Sequence, residues 1–201
     1  MRIGALAISV LVLAAACSPS PEVPLSEAPA SVEPEPLDPG APAAEQAALS
    51  GCGPVTAEGF CGVTFGMAPK EALTKFPVKL EVYSGGDPAA QADPNRCFEM
   101  LAAEPVQGVS FLVEMNKVGR LDILSESAKT VDGFGVGTSA ADIKAKFGAG
   151  VSEQPNKYEP EIAELVVPRG AAKFIFEIQD TKVRAWRAGI MPTIDYVEHC
   201  G

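Results

Sequence analysis

Apolar residues recur at helical spacing in two stretches of the chain, residues 65–76 and residues 136–147. The second stretch repeats the first at a constant distance of 71 positions, so that Phe76 corresponds to Phe147. In each copy an apolar residue precedes this phenylalanine by four positions, which places both side chains on one helix face. The pattern therefore predicts two short helices built from one repeated unit.

The ends of both helices carry their own signals. Ser139 followed three positions later by Asp142 resembles a capping box, and Gly148 stands just past the end of the second helix, where a left-handed residue is favoured. In the first copy, Pro69 suits the first helical position and Pro77 stops the helix. Helices this short are marginal alone, so each needs a sheet to cover.

Strands are predicted where apolar and polar residues alternate, or where β-branched and aromatic residues cluster between turn residues. The predicted strands cover residues 78–83, 109–114, 118–124, 162–167, 173–178, 183–188 and 193–199. Residues 115–117 and 179–182 separate neighbouring strands and predict two hairpins. The expected fold class is α+β, with two tandem helix-plus-antiparallel-sheet repeats at about residues 59–125 and 133–201.

The first residues predict export. Residues 1–16 carry Arg2 as their only charge and are too short to span a bilayer, which takes roughly 20 residues, so they are expected to be a signal peptide. They lead into Leu13-Ala14-Ala15-Ala16-Cys17, which resembles a bacterial lipobox and implies lipidation of Cys17. Cleavage without a lipid is the alternative. Ser18 resembles the signal that sorts lipoproteins to the outer membrane.

Residues 18–50 have the composition of a tether. They contain eight prolines, six acidic residues and no lysine or arginine. Such a segment cannot bury enough apolar surface to fold, so we expect residues 17–50 to form a lipidated cysteine followed by a disordered Pro/Ala/Glu tether. Residues 51–201 are expected to form a single globular domain.

The four remaining cysteines predict two disulfides. An exported chain folds in an oxidising compartment, and four cysteines allow three connectivities. We favour pairing of Cys52 with Cys61 and of Cys97 with Cys200. No Cys-x-x-Cys is present in the sequence, which argues against zinc, and we expect neither a metal nor a cofactor.

Net charge excludes one class of partner. The chain carries a formal charge of −10, and the folded part carries 15 basic and 20 acidic residues. No basic stripe marks a phosphate-binding face, so nucleic acid is not expected as a partner. Gly133, Gly135 and Gly137 precede the second helix, but their spacing matches no phosphate-binding loop. Tight turns and close packing explain them better than an anion site.

Catalytic chemistry finds little support in the sequence. His199 is the only histidine, and its neighbour Cys200 points to the opposite face if both lie on a strand. Pairs of carboxylates for glycoside hydrolysis, such as Glu114 with Asp122 or Glu177 with Asp195, are not selected by any spacing. We therefore predict no catalytic residues.

Large amphipathic side chains define a possible recognition surface, because such groups dominate protein and sugar contacts. The candidates are Trp186, Tyr158 and Arg184. Strand alternation places Val183 on one face and both Arg184 and Trp186 on the other. If the Val183 face is the core, Trp186 is exposed and available for binding. If it is not, Trp186 belongs to the core.

Three local patterns together resemble a group of uncharacterised exported bacterial proteins. They are Gly133-Phe-Gly-Val-Gly-Thr-Ser before a helix, Val109-Ser-Phe-Leu-Val-Glu with its hairpin, and a chain end of Tyr196-Val-Glu-His-Cys200. Members of that group commonly have Gly where this chain has His199. The tandem plan is more distantly similar to the beta-lactamase-inhibitor-protein architecture and to small outer-membrane assembly lipoproteins, which implies a role in binding proteins.

The sequence thus predicts a lipoprotein of the cell envelope, in the outer membrane and facing the periplasm, with a secreted or soluble periplasmic protein as the alternative. Its expected function is non-enzymatic binding of an envelope protein, with contact to the membrane only through the lipid on Cys17. The alternative is a carbohydrate-binding module for peptidoglycan or surface glycan, which an exposed Trp186 or Tyr158 beside carboxylates would favour. An unrecognised hydrolase comes third and requires a carboxylate or serine poised beside His199 in a cleft.

Overall fold

A computed structural model of the protein describes residues 41–83, residue 93 and residues 96–200. In this part of the chain the α-helices are α1 (Ala41–Ala48), α2 (Pro69–Lys75) and α3 (Ala140–Phe147). A small sheet contains β1 (Gly59–Phe60) and β2 (Val63–Thr64). A large sheet contains β3 (Leu80–Tyr83), β4 (Phe98–Ala102), β5 (Val109–Glu114), β6 (Lys117–Ile123), β7 (Ser152–Pro155), β8 (Ala163–Arg169), β9 (Ala172–Gln179) and β10 (Lys182–Ile190).

All eight strands of the large sheet pair antiparallel, in the order β3-β4-β5-β6-β10-β9-β8-β7. The strands that follow α2 form one half of the sheet, and those that follow α3 form the other. The two halves meet where β6 pairs with β10. The predicted α+β class is confirmed.

Both predicted hairpins are present, and their turns explain the strand boundaries. Met115 and Asn116 have φ values of 50° and 58° and connect β5 to β6. Asp180 and Thr181 have φ values of 49° and 69° and connect β9 to β10. Two-residue turns with positive φ at both positions match the natural twist of antiparallel strands, which is why they make tight hairpins.

The helix caps follow the sequence signals. The Ser139 hydroxyl accepts a hydrogen bond from the Asp142 backbone N–H at 3.1 Å and donates to the Asp142 carboxylate at 2.7 Å. Gly148 caps the other end of α3 with a φ of 52°, and Pro69 begins α2. Both helices are shorter than the stretches that predicted them, because their first residues form turns before the caps.

The hydrophobic core lies between the helices and one face of the large sheet. Ala72 of α2 and Ile143 of α3 are both fully buried there. Phe76 packs edge to face on Phe111, with ring centroids 5.3 Å apart. Aromatic pairs at such separations contribute stability beyond the area that they bury.

Trp186 belongs to this core, being only 2% exposed, so its proposed place on a recognition surface is wrong. Its ring stacks on Phe176 with centroids 5.6 Å apart. The reason is a β-bulge between Val183 and Ala185, where the register with β9 shifts by one residue. The extra residue, Arg184, reverses the alternation, so Val183 and Trp186 face the same side.

The predicted closing strand at residues 193–199 is also wrong. After β10 the chain forms a 3-10 helix, Thr193–Asp195, and ends in bends. The strand β10 is bonded to β6 on one side and to β9 on the other, so a following strand had no free edge beside it. The chain instead crosses the face of the sheet that the helices leave open.

The folded domain begins earlier than residue 51. The predicted tether ends in helix α1, and Leu49 is buried, 6% exposed, in the core. A run of alanines favours a helix once a neighbouring apolar residue can be buried. The predicted signal peptide, Cys17 and the part of the predicted tether before Ala41 lie outside the described residues.

Both favoured disulfides, Cys52–Cys61 and Cys97–Cys200, are present in the structure. Two disulfides are typical of exported proteins, which fold in an oxidising compartment. None of the helices in the described ranges is long and apolar enough to cross a membrane.

Candidate functional site

The outer face of the large sheet, opposite the helices, carries a layer of buried charges. On β6, Arg120 and Asp122 are 2% and 7% exposed, and the arginine Nε donates to both carboxylate oxygens at 2.8 Å. On β10, Arg187 binds Glu164 of β8 at 2.9 Å and Glu177 of β9 at 3.0 Å. Buried ion pairs cost desolvation energy, so they persist only where every donor and acceptor has a partner.

The C-terminal tail, residues 191–200, supplies the missing partners. Arg120 Nη1 donates to the backbone carbonyl of Tyr196 at 2.6 Å. Arg187 Nε donates to the carbonyl of Ile194 at 3.3 Å, and the Ile194 side chain is fully buried. The tail therefore covers the charged layer and completes its hydrogen bonds.

Several side chains fasten this tail to the sheet. Lys173 Nζ binds both oxygens of Asp195 at 2.8 Å. The Tyr196 hydroxyl donates to the two oxygens of Glu114 at 2.9 and 3.0 Å. This hydrogen bond to Glu114 raises the pKa of the Tyr196 phenol above its ordinary value of 10.0.

His199 lies between two carboxylates. Its Nδ1 is 3.1 Å from Glu99 Oε1 and its Nε2 is 3.9 Å from Asp122 Oδ1. Burial raises the pKa of Glu99, with the charge of Asp122 acting in the same direction and those of His199 and Arg120 opposing it. A carboxylate does stand beside His199, as a hydrolase would need.

The groups beside His199 are carboxylates and a disulfide. Both ring nitrogens of His199 face carboxylates, and its neighbour Cys200 is held in a disulfide. The cavity beside His199 is lined, within the described residues, by no serine, threonine or free thiol. The contacts of His199 therefore hold the tail in place. In the described ranges, no group of three potential ligands could bind a metal ion.

Two cavities flank the tail. The tail cavity, about 540 Å³, is lined by Cys97, Glu114, Lys157, Tyr158, Asp195, Tyr196, Val197, Glu198 and His199. The second cavity, about 340 Å³, shares Lys157, Asp195 and Val197 with the first and is also lined by the buried Arg187. Both volumes fall in the range of about 300–1,000 Å³ that is usual for small-molecule sites.

Tyr158 and Arg184, two of the three predicted recognition residues, lie close to this region. Tyr158 is 55% exposed and its hydroxyl donates to the Glu198 carboxylate. Arg184 binds Glu159, the residue after Tyr158, and also Glu177 at 3.2 Å. Trp186 lies on the opposite face of the sheet, in the core.

Hydrogen bonds to a buried asparagine fix the loop that carries Tyr158. The buried Asn156 accepts hydrogen bonds from the backbone N–H groups of Tyr158 and Glu159 at 3.0 and 3.2 Å. Its amide donates to Glu164, one of the buried charges, at 3.2 Å. Asn side chains commonly fix a turn in this way. The backbone that carries the exposed ring is thus held in one place.

A separate apolar groove lies between α2 and the sheet edge β3. It encloses about 300 Å³ and is lined by Pro69, Lys70, Leu73, Val82 and Phe98. Leu73, Val82 and the adjacent Tyr83 are 38%, 40% and 54% exposed. Sequence reasoning did not identify this groove, although the alternating pattern of residues 78–83 on an edge strand was its signal.

Comparisons with known proteins leave the family open. No protein-family model and no curated protein matches this chain. One similar structure is an extracellular protein containing a SCP domain from Bacillus anthracis str. Ames, at 10% identity and a TM-score of 0.45. That alignment covers 63% of this chain but 44% of the other. Another is the uncharacterized protein YfeY from Escherichia coli, at 12% identity and a TM-score of 0.47. That alignment covers 69% of this chain and 99% of YfeY.

Proposed function

We propose that this protein is a lipoprotein of the cell envelope whose folded domain binds another protein without catalysing a reaction. The observation that carries the proposal is the apolar groove beside the open edge of β3. An unpaired sheet edge presents backbone hydrogen-bonding groups that can pair with another chain, and most proteins protect such edges. Within the described residues, Pro155 interrupts one edge strand, β7, whereas the other edge strand, β3, contains no proline.

In the part of the chain that the structure describes, β3 has a partner strand, β4, on one side only. The Ala103 N–H donates to the Lys79 carbonyl, and Glu81 lies opposite Leu101. Alternate residues of an antiparallel strand bond to the same neighbour, so Lys79 and Glu81 face β4 while the N–H and C=O groups of Leu80 and Val82 point outwards. The side of the strand with unused hydrogen-bonding capacity thus lies next to the apolar groove.

The opposite edge, β7, is blunted. Asn156 N–H donates to the Ile162 carbonyl, so the outward positions of this strand are Glu153 and Pro155. Glu153 carries a charge paired with Lys144 at 2.7 Å. Pro155 has no N–H to donate. Charge and proline are the usual means of preventing edge pairing.

The partner segment follows from the chemistry of the groove. An extended strand can add to β3 through main-chain hydrogen bonds, while alternate side chains enter pockets. The groove is apolar around Leu73 and Val82, with one exposed cation, Lys70, at its rim. We therefore expect a segment with alternating apolar residues and a carboxylate that meets Lys70.

We further propose that the two halves of the domain are copies of one unit. Each half is a helix followed by four strands, and the halves are arranged symmetrically about the β6/β10 pair. The bulge at Arg184 has a counterpart in β6, where the register shifts at Gly119. Such a shared irregularity supports duplication, because bulges are specific features of a strand.

The anchor is the other part of the proposal. Lipidation of Cys17 and outer-membrane sorting through Ser18 would hold the domain at the periplasmic face, with the chain up to Ala41 as spacer. Replacing Cys17 by Ser and fractionating cells tests this directly. The variant should move from the membrane to the soluble periplasm, whereas an unchanged distribution would reject lipidation.

Site-specific photocrosslinking in cells tests the binding site. A photoreactive residue at Val82 of the full-length protein should capture a defined envelope protein, and mass spectrometry should map the crosslink to an extended segment. The matched control places the same residue at Glu153 on the blunted edge. Capture at both positions, or at neither, would contradict the proposal, and Leu73→Glu should abolish the crosslink from position 82.

A further inference from the structure

We propose that the tail cavity is a binding site for an uncharged oligosaccharide. The cavity combines an exposed tyrosine ring, a second tyrosine and three carboxylates, and it lies on the sheet face opposite the helices. It is separate from the apolar groove and is lined by other residues. The two sites can therefore be tested independently.

The shape of the lining suits a sugar. Tyr158 is 55% exposed, yet its backbone is fixed by the buried Asn156, so binding would not have to order the loop. A rigid aromatic ring offers a large contact area at low entropic cost, and the apolar C–H face of a sugar ring is its natural complement. Tyr196, held by Glu114, provides a second tyrosine in the same wall.

Hydrogen-bonding groups around the ring can recognise hydroxyls. Glu198 accepts from the Tyr158 hydroxyl, and a carboxylate can accept about four hydrogen bonds. Lys157 Nζ lies over one face of the Tyr158 ring, 4.9 Å from its centre, and can donate to a hydroxyl of a sugar on the other face. A sugar hydroxyl both donates and accepts, so one oligosaccharide can use carboxylate and ammonium together.

The charge of the cavity favours a neutral ligand. Three carboxylates of the lining, Glu114, Asp195 and Glu198, already pair with Tyr196, Lys173 and Tyr158, and the same lining contains Lys157. A phosphate or polyanion would meet three carboxylates, and a polycation would meet the lysine. A neutral glycan avoids both repulsions while using the same polar groups.

Isothermal titration calorimetry with the full-length protein in detergent tests the proposal. The neutral probes are cellotetraose, maltotetraose and chitotetraose, and the charged probes are a galacturonic acid tetramer and a glucosamine tetramer. At least one neutral probe should bind, and the charged probes should bind at least about tenfold more weakly. No binding by any neutral probe, or preference for a charged one, would overturn the assignment.

Substitutions at two tyrosines, Tyr158 and Tyr83, test where the probe binds. Tyr158→Ala should weaken the binding of the neutral probe at least about tenfold, since it removes the aromatic ring. Tyr158→Phe keeps the ring and should stay within about threefold of the parent. Tyr83→Ala, an equally exposed tyrosine on β3, should change nothing. Equal losses at Tyr158 and Tyr83 would contradict this site, and neither result bears on protein binding at the groove.

Discussion

Arg120 donates a 2.6 Å hydrogen bond from its guanidinium to the backbone carbonyl of Tyr196, 76 residues further along the chain. The same side chain holds Asp122 through Nε and Nη2. One buried arginine therefore both balances a buried carboxylate and fixes the C-terminal tail on the sheet. The tail in turn lines both cavities through Asp195 and Val197.

Arg120→Ala should destabilise the protein by about 3–5 kcal/mol, because it leaves the charge of Asp122 buried without its cation. Urea unfolding followed by circular dichroism measures this loss. Lys79→Ala is the matched control, since its ion pair with Glu81 is exposed and exposed pairs contribute little to stability. Similar losses for both variants would show that the charged layer does not depend on Arg120.

Gly119 determines whether the tail can dock. A Cβ at this position would lie 2.3 Å from Thr193 Oγ1 and 3.1 Å from Thr193 Cβ. Gly119→Ala should therefore cost about 1–3 kcal/mol, as overpacking usually does. Thr193→Gly in the same chain should recover part of that loss.

The control for Gly119 is Gly150→Ala, because no atom lies within 4 Å of the Cβ that it would add. Its effect on the free energy of unfolding should be within about 0.5 kcal/mol. If Thr193→Gly recovers no stability in the Gly119→Ala background, the loss does not come from a clash between the added Cβ and Thr193.

Trp186→Ala should cost about 3–5 kcal/mol, the usual loss for a large core aromatic. Tyr158→Ala should cost less than about 0.5 kcal/mol, because that ring is exposed. Thermal unfolding of both variants separates core from surface. A small loss at Trp186 would contradict the register shift that turns its ring into the core.

The disulfides should differ in their contributions. Cys97–Cys200 closes a loop across 103 positions and Cys52–Cys61 one across nine. In the chain-entropy model the longer loop is worth about 4–5 kcal/mol and the shorter about 2–3 kcal/mol. Unfolding of the paired alanine variants measures both values. A larger loss for the short loop would reject the model for this protein.

Glu99 gives the stability a definite pH dependence. Its pKa is raised above the ordinary value of 4.5 in the folded protein, chiefly by burial. A raised pKa favours the protonated form in the folded state, so this contribution is complete below pH 4.5 and is lost as the pH rises through the folded-state pKa. The stability of the parent relative to Glu99→Gln should therefore fall over this interval. A constant or rising difference would contradict the assignment.

Local chemistry made the helices and hairpins predictable from the sequence. The cap of Ser139 and the turns after Glu114 and Gln179 involve neighbours in the chain, so their signals are readable in a short window. The orientation of Trp186 was not predictable, because one bulge residue, Arg184, reverses the alternation on which the prediction depended.

The position of the tail and the charged layer beneath it could also not be predicted from the sequence. Arg187 finds Glu164 and the Ile194 carbonyl only after β8, β9 and β10 have paired. Polar residues alternating along β6 and β10 were the available signal, and they resemble an ordinary solvent-exposed face. The exposure of Tyr158 was predicted as one possibility, but its neighbours Glu198 and Asn156 were not.

Amide hydrogen exchange at Val82 tests the central claim most directly. The segment captured by crosslinking would be made as a synthetic peptide and added to the full-length protein. Pairing with the open edge of β3 predicts slower exchange at Leu80 and Val82 and unchanged exchange at Glu153. Binding of the peptide with no change at Val82 would contradict recognition through this edge.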